Sequence, residues 1–181
     1  ILILILILIL VLILTLKVIP CSFNSTLSPL KIGIFSMLFN RLPFCEQLLI
    51  WAVRKWAETP EDDSNLHKTL QTAFRLAKAP EAYVALDGFL TVLFATTMQT
   101  IDFRSHKSQE VSADEYRFLA VVAALQVSDN RKAAETLVAA WMPPAAQRIG
   151  LEQCELLSRD LALANHRLSP REGGILAMST S

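Results

Sequence analysis

From residue 43 to residue 168, apolar positions recur at the helical period, and no stretch alternates as a half-buried strand would. Pro43 to about Glu58 carries two adjacent apolar rows. Phe44, Leu48, Trp51 and Ala52 form one; Cys45, Leu49, Val53 and Trp56 form the other. So wide a stripe predicts a well-buried helix, opened by a proline whose missing N–H costs nothing in the first turn. A second helix is predicted over Asn65 to Lys78, capped by Asp63 or Ser64, with Leu66, Leu70, Ala73, Phe74 and Ala77 inward. Pro80 to about Met98 is apolar nearly all round, as a helix central to a bundle is, and Gly88 within it marks a close approach by a neighbour.

Ile101 to Val111 breaks the pattern and is predicted to be an exposed, polar and basic loop. Ser112-Ala113-Asp114-Glu115 then reads as a capping box, the serine and glutamate each positioned to bond the other's backbone N–H. The helix it opens runs to about Val127, burying Tyr116, Leu119, Ala120, Ala123 and Val127. Ser128-Asp129-Asn130 caps another, which extends to Met142 and buries Ala133, Leu137, Ala140 and Trp141. Gly150 is read as a break between two last pieces, Ala145 to Ile149 and Leu151 to about Leu168. The second holds Leu151, Cys154, Leu157, Leu161 and Ala164 on one face.

The expected fold is all-α: a compact bundle of about six antiparallel helices, since short connections set sequential helices side by side. The helical domain spans 43–168, preceded by a linker over 20–42 and followed by a disordered tail over 169–181. The last two predicted helices before Pro143 form a hairpin only weakly reminiscent of a solenoid unit.

Residues 1–19 stand apart, being almost entirely Ile, Leu and Val in alternation. A dipeptide repeated five times is what a short tandem DNA repeat yields when translated, and that is the reading adopted, with Met37 as the initiator. The alternative is a single-pass transmembrane helix near the lower length limit, with Lys17 and Lys31 favouring a cytoplasmic C-terminal side. A signal peptide fits worse, for want of a basic segment before the run and a small-residue cleavage site after it.

Charge changes the picture by exclusion. The chain has 17 Lys+Arg against 17 Asp+Glu, so no global field draws it to nucleic acid or an anionic membrane. Cys21, Cys45 and Cys154 are odd in number and far apart, the pattern of reduced thiols rather than a zinc site. The three histidines, His67, His106 and His166, lie in separate regions, and no phosphate-binding, nucleophile-elbow or metalloprotease motif occurs. No catalytic, metal or cofactor-binding residue is predicted, and no cofactor.

Two features carry what expectation remains. Arg54, Lys55, Lys68, Arg75 and Lys78, joined by Arg104 and Lys107 from the loop, would form one basic partner surface if the first two helices pack antiparallel. Asp87 interrupts an apolar helix and is expected to form a buried ion pair with an Arg or Lys. The function expected is a small, non-enzymatic, cytoplasmic module that binds a protein partner or a second copy of itself. A membrane-tethered cytoplasmic protein is the alternative if residues 1–19 are genuine. A helix-turn-helix regulator ranks behind both, because the helix over 131–142 offers only Arg131 and Lys132 to a phosphate backbone.

Overall fold

The computed structural model describes residues 37–59, 64–97, 99–128 and 130–170. The Ile/Leu tract, most of the expected linker, Asp63 of the expected cap, and the tail from 171 onward lie outside the described residues; Ser64, the other expected cap, is the first residue of the second helix.

Among the described residues the protein is all-α, with six α-helices and no strands: α1 (Phe44–Glu58), α2 (Ser64–Leu76), α3 (Pro80–Thr96), α4 (Ala113–Leu125), α5 (Arg131–Val138) and α6 (Pro144–Leu163). A single turn of 3-10 helix, Phe39–Arg41, precedes α1. Helices α3 and α6 make the most extensive contact in the bundle. This follows from α3 being apolar on nearly every side: Tyr83, Leu86, Phe89, Leu90 and Leu93 are all buried. Gly88 lets these helices approach: a Cβ there would stand 2.7 Å from Gln153 Oε1 of α6. A Cβ on Gly150 of α6 would stand 2.7 Å from Met142 Sδ, in the turn that precedes that helix.

Gly150 therefore does not break the last helix. It sits inside α6, where its missing side chain makes room for the Met142 thioether, and the helix runs unbroken through it. The expected fifth helix is shorter than its sequence suggests, ending at Val138, because residues 139–142 turn to bring both Trp141 and Met142 into the core. Ala140 and Val127, predicted to be inward, are exposed, and so is Phe44 at the mouth of α1.

Helices α2 and α6 end alike. Lys78 adopts φ 61° and Asn165 φ 63°, and in each case the next amide reaches back across the turn: Ala79 N to Phe74 O at 2.9 Å, His166 N to Leu161 O at 2.8 Å. This is the left-handed cap that satisfies orphan carbonyls, more often built on glycine or asparagine than on lysine. Beyond α6 the chain does not trail away at once. Leu168 N donates to Gln126 Oε1 at 2.8 Å and Ser169 N to Glu46 Oε1 at 3.1 Å, holding residues 166–169 against α1 and α4.

The capping box is present as expected. Glu115 N donates to Ser112 Oγ at 3.0 Å, and Ser112 N donates to Glu115 Oε2 at 2.9 Å. The loop before it is not a free excursion. Val111 N bonds Met37 O at 3.0 Å and Phe39 N bonds Gln109 O at 2.8 Å, so residues 37–39 and 109–111 pair briefly as antiparallel backbone around Leu38 and Glu110.

No helix among the described residues is long and apolar enough to cross a membrane.

Candidate functional site

The basic surface expected from the sequence loses its centre. Arg54 is 1% exposed and forms a two-pronged ion pair with Glu115, which is fully buried: Nε to Oε1 at 2.7 Å and Nη2 to Oε2 at 2.8 Å. Its remaining N–H groups hold the carbonyls of Ser108 at 2.7 Å and Glu110 at 2.6 Å, and its guanidinium lies 5.2 Å from the centroid of the Phe39 ring. Glu115 is equally occupied, taking the amides of Ser112 and, at 2.9 Å, Arg104. Every prong of this pair has a partner, the condition under which a buried ion pair is tolerated. It joins α1, α4, the loop and the segment before α1, a structural pin closed to any partner.

The other members of the expected surface do not converge. Lys107 and Arg104 stand on the loop near the C-terminal end of α1, where His106 closes onto Glu58, and Arg104 pairs with Asp102 at 3.3 Å. Lys55 is part-buried on α1. Lys68 and Arg75 are exposed along α2, while Lys78 lies past its far end, lining a shallow cleft of about 220 Å³ with Asp160 and Leu163.

His106 donates its backbone N–H to Glu58 Oε1 at 2.9 Å and presents its ring to the other oxygen. These bonds hold the Glu58 carboxyl down at about 2, against an ordinary 4.5. A depressed acid contributes stability above its unfolded titration point and loses it as the pH falls through the folded one. The protection of the His106 amide against hydrogen exchange is therefore expected to be full above about pH 4.5, to decline toward pH 2, and to be reduced throughout in Glu58→Gln. Equal protection of that amide at pH 5 and pH 2.5, measured by NMR and corrected for intrinsic exchange, would contradict this.

Asp87 is not held by the Arg or Lys expected. Its carboxylate is about one-third exposed and accepts from Trp56 Nε1 at 2.8 Å, with His67 Nδ1 4.0 Å away. His67 also shares a hydrogen bond with the Tyr83 hydroxyl, and burial, followed by the Asp87 charge, pushes the Tyr83 phenol up to about 12. A histidine ring and an indole replace the strong base because the carboxylate keeps enough water not to need one. Asp87, His67, Tyr83 and Trp56 thus tie α1, α2 and α3 together. Among the described residues no group of three or more His, Cys, Asp or Glu side chains is placed to hold a metal ion. Cys45 and Cys154 are free, buried thiols.

A feature the sequence reading did not isolate lies on α6. Its inner face buries Leu151, Cys154, Leu157 and Leu161. On the outer face Ile149 is 44% exposed, Leu156 38% and Leu163 80%. They recur every seventh residue, a spacing that drifts only about 20° round a straight helix per repeat, so the three line up along one side of the helix. Glu152 and Arg159 stand between them, both exposed. Isolated apolar side chains are common on any surface; here three share one side of one helix.

Comparison with known proteins adds no function: no protein-family model, no curated protein and no solved structure matches this chain.

Proposed function

We propose that this protein is a helical protein-interaction module whose working surface is the outer face of α6. The observation that carries the reading is the row Ile149, Leu156 and Leu163, left exposed on a helix whose opposite face is already used by the core. The core itself supplies no pressure to keep those positions apolar, and polar side chains there would favour the isolated bundle. The two free, buried thiols support reading the module as one of a reducing compartment, the cytoplasm.

The test is a photo-activated cross-linking amino acid introduced in cells at position 156 or 163, with exposed position 91 on α3 as control. Adducts are expected at 156 and 163 only. The protein identified in them is expected to bind the purified chain and to lose that binding with Leu156→Glu. Adducts no more abundant at 156 and 163 than at 91 would overturn the reading.

A further inference from the structure

The face of α6 carries enough pattern to say what covers it. From Ile149 to Leu163 its exposed row reads apolar, acidic, apolar, basic, apolar: Ile149, Glu152, Leu156, Arg159, Leu163. The apolar members are symmetric about Leu156. The charges are antisymmetric about nearly the same point, with Glu152 before it and Arg159 after it. At 100° per residue, both charged side chains project on the same flank of the apolar row.

These facts select one geometry. If two copies of α6 lie side by side, antiparallel, related by a two-fold axis through Leu156, the charged flank of each copy falls on the same side of the interface. Glu152 of one then faces Arg159 of the other, twice over, while Ile149 packs near Leu163 and Leu156 meets its own counterpart. A parallel two-fold arrangement puts the charged flanks on opposite sides and forms no such pairs. We infer that the occupant of the α6 face is a second copy of this chain, joined through an antiparallel α6–α6 contact centred on Leu156 with reciprocal Glu152–Arg159 pairs. This rests on the reading of that face as an interaction surface and names its partner. A self-complementary patch of this kind is what a two-fold dimer requires.

The row is short. The fourteen steps from Ile149 to Leu163, at a rise of about 1.5 Å each, span about 21 Å, which places the contact at the small end of protein interfaces, where weak association is the expectation. Arg159 Nε meets the adjacent Asp160 at 3.1 Å; the arginine itself is 63% exposed, which leaves the rest of its guanidinium open to a partner's carboxylate.

Full-length chain carrying Cys21→Ser serves as the background, since Cys45 and Cys154 are buried. Under mild oxidation, Leu156→Cys is expected to give a disulfide-linked dimer, whereas Ile149→Cys gives none alone and gives one when mixed with Leu163→Cys. In analytical ultracentrifugation from about 5 to about 500 μM, Glu152→Arg and Arg159→Glu should each weaken association roughly tenfold, and the two together should restore it. A monomer throughout that range, self-cross-linking of Ile149→Cys, or a charge exchange that fails to restore association would each overturn the dimer. Monomeric chain whose position-156 adduct is a different, identified protein would overturn the dimer while leaving the interaction module standing; absence of any adduct at 156 would remove both.

Discussion

Replacing Arg54 with methionine is expected to lower the free energy of unfolding by about 3–5 kcal/mol, the range for removing one member of a buried ion pair. The cause is what remains behind. Glu115 stays fully buried with its positive partner gone, the carbonyl of Ser108 loses its donor, and that of Glu110 keeps only the Ser108 hydroxyl. An ordinary buried pair can often be exchanged for two apolar side chains at little cost. Here that rescue should fail: in Arg54→Met/Glu115→Leu the amides of Arg104 and Ser112 are also left without their acceptor. Ser112 is buried, and an unsatisfied buried group costs about 1–3 kcal/mol, so the double variant should be no more stable than the single one. Urea unfolding followed by circular dichroism measures both, and a double variant recovering most of the native stability would show that the pin is only an ion pair.

Phe89→Ala is expected to cost a similar amount, about 3–5 kcal/mol, by leaving a cavity where three helices meet. The Phe89 ring on α3 stacks on Phe118 of α4 with centroids 5.6 Å apart, and it lies beside the gap at Gly150 on α6. Phe89→Leu keeps most of that volume and should lose less than half as much. Thermal unfolding of the two variants would settle the ordering. If they unfold together, the site collapses around the smaller side chain and the junction is softer than its complete burial implies.

The fold was largely written in local pattern, and the reasons for the exceptions are specific. The capping box needs only residues three apart, so Ser112 and Glu115 announce the start of α4 by themselves. The second half of Glu115's role was invisible, because its partner Arg54 lies 61 residues away and nothing in a periodicity reports such a pairing. Arg54 looked like surface because it is charged. On α1, however, Glu46, Ile50 and Arg54 form a third row, and all three are buried. The outer row of α6 was hidden by a different error. Taking Gly150 for a break severed Ile149 from Leu156 and Leu163, and with it the seven-residue spacing. The signal was present in the sequence; a continuous helix was needed to see it. The expected Asp87 partner failed because apolar neighbours in sequence do not guarantee dryness: Val84, one turn earlier on α3, is itself exposed.

The pairing of α3 with α6 has a consequence for the chain as it is made. Synthesis delivers α3, greasy on nearly all sides, well before the helix that covers it best, and the growing polypeptide must carry that surface uncovered while α4 and α5 emerge. A ribosome stalled after α5 would hold a nascent protein still lacking its largest seam. Only when α6 clears the exit tunnel can the seam shut, so truncation before Pro144, which removes all of that helix, should abolish the native state outright rather than trim it.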